Sequence, residues 1–236
     1  MHSMHCYFVL AGSSDDPIIY HVEHVRDGKS FATRTVQARQ KGRCIFTTTL
    51  SFVREDSAGR ETVQHAVEMP SNVRKPIDGE DLGEFRNLGP FVGKIANIVR
   101  VDHSKPQRVK VQVWHKTKDN ISSGGGHQAH LAALAYVSDS GFIGTISKAH
   151  DLEDSPQETS GAENKPKLGM MVSLDHTIYF HEPKKLRADE WMFSERTSPW
   201  SGDGRGVVVQ HIFSADGILL ATCFQEVRLL SLQRIG

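Results

Sequence analysis

The sequence predicts an α+β fold in which curved antiparallel sheets wrap around a helix, and three observations predict it. One segment, His127 to Asp139 (HQAHLAALAYVSD), is apolar nearly all round. Runs rich in β-branched and aromatic residues, bounded by Gly, Asp or Ser, flank it on both sides. The two halves of the chain also repeat each other. GRCIFTTTLSFVR (Gly42 to Arg54) matches GILLATCFQEVRL (Gly217 to Leu229) from its turn glycine onward, and MHCYF (Met4 to Phe8) matches HTIYF (His176 to Phe180). Such a repeat marks a duplicated supersecondary unit.

The first unit is expected over 1–55 as a meander of four strands: HCYFVLAG (His5 to Gly12), PIIYHVEHVRDG (Pro17 to Gly28), FATRTVQARQKGR (Phe31 to Arg43) and CIFTTTLSFVRE (Cys44 to Glu55). Residues 56–92 turn polar, carry Pro70 and Pro76 and show neither period, which marks a linker. The second unit, 93–236, resumes strand-like alternation from Gly93 to Asp119. In the helix that follows, Ala129, Ala132, Ala133 and Tyr136 recur at i, i+3, i+4, i+7, while Leu131, Leu134, Ala135 and Val137 fill the other side. Its alanines keep it thin enough for a sheet to close over it, and Ser122 to Gly126 (SSGGG) offers caps. Residues 151–167 are poor in apolar side chains and read as a surface insertion. VSLDHTIYFH (Val172 to His181), EWMFSERTS (Glu190 to Ser198) and VVVQHIFSADGILLATCFQEVRLL (Val207 to Leu230) complete the strands, with a hairpin turn at SADG. The helix of the second copy precedes its YF strand. Its counterpart in the first copy would lie upstream of Met1, so the first unit is expected to lack its opening strand and helix, or the sequence starts inside a longer one.

Composition narrows the function. Lys and Arg number 28, as do Asp and Glu, so no global field draws the chain to nucleic acid or an anionic membrane. Cys6, Cys44 and Cys223 are odd in number and lie in apolar runs, as buried thiols of a reducing compartment do. No apolar run approaches the roughly 18 residues of a membrane span, so an intracellular, soluble protein is expected. The absence of a GxSxG elbow argues against a serine α/β-hydrolase. His127 and His130 form an i, i+3 pair without a third ligand in register, and no metal or other cofactor is expected.

Three residues stand out. Asp139 is an anion at the negative end of the helix dipole, just beyond an apolar segment; either SDSG is a polar turn or a local rule is broken there for function. Gln225 shares a strand face with Leu219, Ala221, Cys223 and Val227, where the first copy carries Leu50. A buried amide needs partners, so it implies a polar cluster opposite, unless it reaches solvent at a sheet end. Ser173 falls on a face with Asp175, Thr177 and Tyr179, opposite Val172, Leu174, Ile178 and Phe180, and is either a working hydroxyl or a small strand residue.

AHLAALAYVSDSGFIG, LDHTIYFHEP, ADEWMFSERTSP, GDGRGVVVQHIFSADGILLATCFQE and, in the first half, YFVLAGSSDDPIIYHVEHVRDGKSFATRTVQARQKGRCIF resemble the acyl-CoA thioesterase II (TesB-like) double hot-dog family. The resemblance covers most of the chain apart from 151–167. It implies a double hot-dog fold, hydrolysis of fatty or related acyl-CoA to free acid and CoA without a cofactor, and acyl-CoA as partner. In that family an Asp, a Thr or Ser, and a Gln activate a water, and these correspond by motif to Asp139, Ser173 and Gln225. The Asp175–His176 pair is characteristic of the family without belonging to the triad. CoA phosphates would meet local cations, for which Arg205, Lys184 and Lys185 are the candidates, each otherwise part of a solvated turn. Family habit and sheet edges imply a homo-oligomer. The resemblance points to the peroxisome, although the chain ends Arg234, Ile235, Gly236 rather than in a tripeptide like SKL; otherwise the cytoplasm is expected. Two alternatives stand beside hydrolysis. One is a silent remnant that binds acyl-CoA or a partner. The other is a hot-dog enoyl-CoA hydratase, which needs an Asp/His pair facing one tunnel and is poorly served by adjacent strand residues.

Overall fold

Apolar and polar residues alternate along nearly every extended run, and the pairing follows that period. The computed structural model describes residues 1–54, 63–77, 86–152 and 167–233. Its strands are β1 (Ser3–Phe8), β2 (Ile19–Asp27), β3 (Phe31–Gln40), β4 (Arg43–Val53), β5 (Arg86–Leu88), β6 (Phe91–Val99), β7 (Lys110–Thr117), β8 (Lys167–Ser173), β9 (Asp175–Phe180), β10 (Met192–Gly202), β11 (Arg205–Ser214) and β12 (Leu219–Gln233). Two α-helices, α1 (Gly126–Ser138) and α2 (Gly144–Ala149), interrupt the series after β7. Among the described residues the strands form one sheet, ordered β2-β3-β4-β1-β9-β12-β11-β10-β7-β6-β5, with β8 also paired to β12. The surface insertion falls mostly on 153–166 and the terminal tripeptide on 234–236, both outside the described residues. No described helix is long and apolar enough to cross a membrane.

The order is symmetric about the β1–β9 seam over four strands on either side, β1-β4-β3-β2 matching β9-β12-β11-β10, as expected for a double hot-dog, and β7, β6 and β5 extend the second side. Ser3 pairs with Tyr179, His5 with Thr177 and Tyr7 with Asp175. The sequence repeat equates His5 with Thr177, so that pair is its own counterpart and a pseudo-two-fold axis passes through it. β4 lies beyond β1 as β12 lies beyond β9, and both repeat glycines, Gly42 (φ 75°) and Gly217 (φ 89°), turn their hairpins in the left-handed region. The expected four-strand meander needs one correction: β2, β3 and β4 are consecutive neighbours, but β1 pairs with β4 and β9 instead of β2. An edge place would expose Cys6; the interior place buries it.

The helix also departs from expectation. It begins at Gly126 and ends at Ser138, leaving Asp139 as the cap residue. Ser122 caps a short 3-10 turn, Ser123–Gly125, and no side chain caps the start of α1. The helix is covered on one side, not wrapped: Leu131, Leu134 and Val137 are buried, while Ala132 is exposed and Tyr136 is 56% exposed, its ring stacked 6.0 Å from that of Phe91. Ala133 and Ala135 pack partly against the core, and Ala132 turns outward. Beneath the helix, the buried stripe meets Phe142, Ile146, Ile178, Met192, Val208, Ile212 and Val227. The opposite sheet face carries Trp114, Trp191, Phe193 and Phe213, over which Met69 and Val73 from the 63–77 segment pack. β5 and the start of β6 fall inside the 56–92 stretch.

Two outcomes follow. Leu134→Ala should cost about 2–5 kcal/mol in urea unfolding, while Ala132→Ser on the outer face should change stability by less than about 0.5 kcal/mol. His115 is buried, and desolvation, helped by the charge of Arg196, holds its pKa at about 3 against an ordinary 6.5. The unfolded chain therefore binds a proton that the folded chain refuses, and stability falls as pH drops from about 6.5 toward 3, by at most about 1.4 kcal/mol per pH unit for one group. Urea midpoints at pH 7 and pH 5 should differ more for the parent than for His115→Gln.

Candidate active site

The last turn of α1 leaves its carbonyls without helical partners, and what meets them defines the site. Asp139 follows the buried Ser138, and the next N–H, that of Ser140, reaches back to Val137 O at 2.9 Å. Its carboxylate Oδ1 accepts a hydrogen bond from Gln225 Nε2 at 2.5 Å. Gln225 is 1% exposed, between the buried Cys223 and Val227 on the same face of β12. The polar cluster expected opposite it is thus real. Gln225 donates to Asp139 and leaves Oε1 buried with no partner among the described residues.

Ser173 requires a correction. β12 pairs as Phe224 with Thr177 and as Val227 with Ser173, three steps on β12 against four on the partner, so one extra residue is inserted at Leu174–Asp175. This bulge reverses the alternation. Ser173 therefore shares the face of the buried His176, Ile178 and Phe180, opposite Val227, and not that of Asp175, Thr177 and Tyr179. It lies diagonally across the ladder from Gln225, on the side of the sheet that faces α1. Asp175 holds the bulge in place: its Oδ1 accepts the Glu226 backbone N–H at 2.6 Å.

His176 is buried one ladder step beyond the Phe224–Thr177 pair, beside Gln225. Its Nε2 bonds to Ser138 Oγ at 2.9 Å, its ring meets Phe142 edge-on at 5.8 Å, and its Nδ1 is buried without a partner among the described residues. Burial pushes its pKa below the ordinary histidine value, with the charges of Asp139 and Asp175 opposing, so the ring is neutral near pH 7.

Sequence reasoning missed two further polar residues on the inner face. Arg196 on β10 and Gln210 on β11 are cross-strand partners, and both are buried. Both belong to inward-facing series, Met192, Ser194, Arg196 and Val208, Gln210, Ile212, in which they are the large polar members. That is the same signal that marked Gln225.

The candidate cations lie elsewhere. Arg205 sits on the opposite sheet face, about 10 Å along the strand from the level of Gln225, paired with Glu226 at 2.7 Å and lying over the Trp200 ring. Lys184 and Lys185 lie beyond the far end of β9; Lys185 pairs with Glu182 at 3.5 Å and lines a 550 Å³ cavity with Lys75, Arg187 and Trp191. His130 Nδ1 accepts the Ala188 backbone N–H, and no group of three or more described His, Cys, Asp or Glu side chains could hold a metal ion.

Comparison with known proteins finds relatives along the whole chain. The family model for the acyl-CoA thioesterase N-terminal domain matches residues 1–53, and that for the C-terminal domain matches 54–229. Acyl-coenzyme A thioesterase 8 of Rattus norvegicus is 34% identical over 258 residues, covering 100% of this chain and 75% of that protein. Acyl-CoA thioesterase 2 of Haemophilus influenzae is 31% identical, covering 96% of this chain and 78% of its own. The crystal structure of acyl-CoA thioesterase II TesB2 from Mycobacterium marinum superposes with a TM-score of 0.73 at 28% identity, over 97% of this chain and 80% of that one.

Ser138→Ala removes the partner of His176 Nε2 and strands both ring nitrogens. It should destabilise the fold by about 1–3 kcal/mol in urea titrations, the penalty for an unsatisfied buried polar group.

Proposed function

The chain belongs to the acyl-CoA thioesterase family and is a thioester hydrolase acting on acyl-CoA, and from that premise we propose that Asp139, Ser173 and Gln225 direct a water onto the acyl carbon. The observation that carries the reading is the hydrogen bond from Gln225 Nε2 to Asp139 Oδ1 on the inner face of the sheet, where Gln225 is buried between Cys223 and Val227. Asp139 is the base. As the water oxygen bonds to the thioester carbon, its proton passes to the carboxylate. When the tetrahedral intermediate collapses, the C–S bond breaks and the departing thiolate takes that proton, giving free acid and CoA. Gln225 holds the carboxylate in line, and its free Oε1 is an acceptor for the second water hydrogen. Ser173, on the same inner face, is the hydroxyl that completes the water's orientation.

Asp175 and His176 do not favour hydratase chemistry. The carboxylate of Asp175 is occupied by the Glu226 N–H, while His176 is buried on the other face of the strand. The cations that meet CoA phosphates remain proposed as Arg205, Lys184 and Lys185, with Arg205 tied to Glu226 until substrate arrives. Self-association belongs to the same proposal, since β2 is a sheet edge on which Ile19, Tyr20 and Val22 stand exposed. So does the peroxisome as compartment, on the strength of the family resemblance.

Thiol release from a fatty acyl-CoA should be readily measurable for the parent chain. Asp139→Asn should lower kcat by about 10²- to 10⁴-fold, the usual worth of a general base. Gln225→Leu and Ser173→Ala should each lower it by about 10-fold or more, with circular dichroism unchanged. Full activity in folded Asp139→Asn would sink the reading. A folded parent chain that releases no thiol would favour the silent acyl-CoA-binding alternative.

A further inference from the structure

We propose that Arg196 is a positioning residue for the hydrolysis, fixing together with Gln210 the turn that carries Asp139. The proposal rests on the reading of Asp139 as the base. Arg196 directs Nε to Gln210 Oε1, Nη1 to Gly141 O at 3.0 Å and Nη2 to Ser140 O at 3.2 Å. Gln210 in turn directs Nε2 to Ser138 O at 3.1 Å. The three carbonyls so held, at 138, 140 and 141, bracket Asp139 on both sides, just where α1 runs out of partners for its own backbone. The guanidinium also lies over the Phe142 ring, 5.8 Å from its centroid, so its plane as well as its edge is engaged.

This arrangement exceeds what the packing of α1 needs. Leu131, Leu134 and Val137 already anchor the helix, and two apolar side chains could fill the facing positions on β10 and β11 without desolvating a charge. Burial pulls the guanidinium down to about 10, with Cys223 and Asp139 acting in the opposite sense, so it remains a cation at neutral pH. A buried cation at the negative end of a helix is attracted both by the dipole and by the adjoining carboxylate, and so offsets their mutual repulsion. Only a fork of fixed geometry can also hold several carbonyls at once, and displacement of a reacting group by about 1 Å is enough to cost about 10²-fold in rate.

Three variants test the assignment, with Asp139→Asn alongside: Arg196→Met, Arg196→Lys and the double variant Arg196→Met with Gln210→Met. The double variant removes both members of the pair, so that no polar side chain is left behind alone. In Arg196→Met and in the double variant, kcat for acyl-CoA hydrolysis should fall by about 10- to 100-fold while KM stays within about threefold. Arg196→Lys, which keeps the charge and part of the donor set, should recover part of that loss. A folded double variant with unchanged kcat would overturn the proposal, as would a loss that lies wholly in KM or a loss of the fold in all three variants. If Asp139→Asn is inactive while the Arg196 variants are fully active, the clamp alone fails; if Asp139→Asn keeps full activity, the reading of the base fails.

Discussion

A carboxylate at the C-terminal end of an apolar helix faces the negative pole of its own backbone, which disfavours it by about 0.3–1 kcal/mol even at a surface. The Gln225 amide is what makes that place tenable for Asp139. Gln225 can reach it because β12 runs through the middle of the sheet, between β9 and β11, with Cys223, Gln225 and Val227 directed at the helix. The inward parity of β12, the seating of α1 and the order of strands on either side are thus conditions for one hydrogen bond.

The remaining polar groups on that face are arranged so that few are left alone. Ser138 serves His176, Gln210 serves the Ser138 carbonyl, and Arg196 serves the two carbonyls after Asp139. Such a network is high-stakes in a low dielectric: complete, it specifies one arrangement, and partly broken, it destabilises more than an apolar core would. The two acceptors it leaves open, Gln225 Oε1 and His176 Nδ1, lie beside each other on the ladder. Preorganisation of this kind lets an enzyme hold a small nucleophile without paying for order at each turnover.

Much of this was legible in the sequence. Asp139 was marked by its conflict with the helix dipole and Gln225 by its contrast with Leu50 in the repeat, and the structure joins the two by a hydrogen bond. The double hot-dog class followed from the helix, the repeat and the long family motifs. Other features left no local trace. The face of Ser173 depends on a bulge at Leu174–Asp175, and nothing in VSLDHTIYF announces the extra residue, so strict alternation put the serine on the wrong side. The place of β1 between β4 and β9 is set by contacts some 45 and 172 residues away, beyond any local pattern. Gln210 carried the mark of a polar residue between apolar ones, Val208 and Ile212, whereas Arg196 follows the polar Ser194 on its face and so stood out less.

The pseudo-two-fold through His5 and Thr177 relates two sheets that are alike in pairing and unlike in chemistry. Leu50 stands where the second half has Gln225. At that position the two halves differ in chemistry, an apolar side chain in one and a buried amide in the other. A pairing symmetry thus carries no symmetry of chemistry: the same ladder position that packs as hydrocarbon in one half holds a carboxylate by an amide in the other.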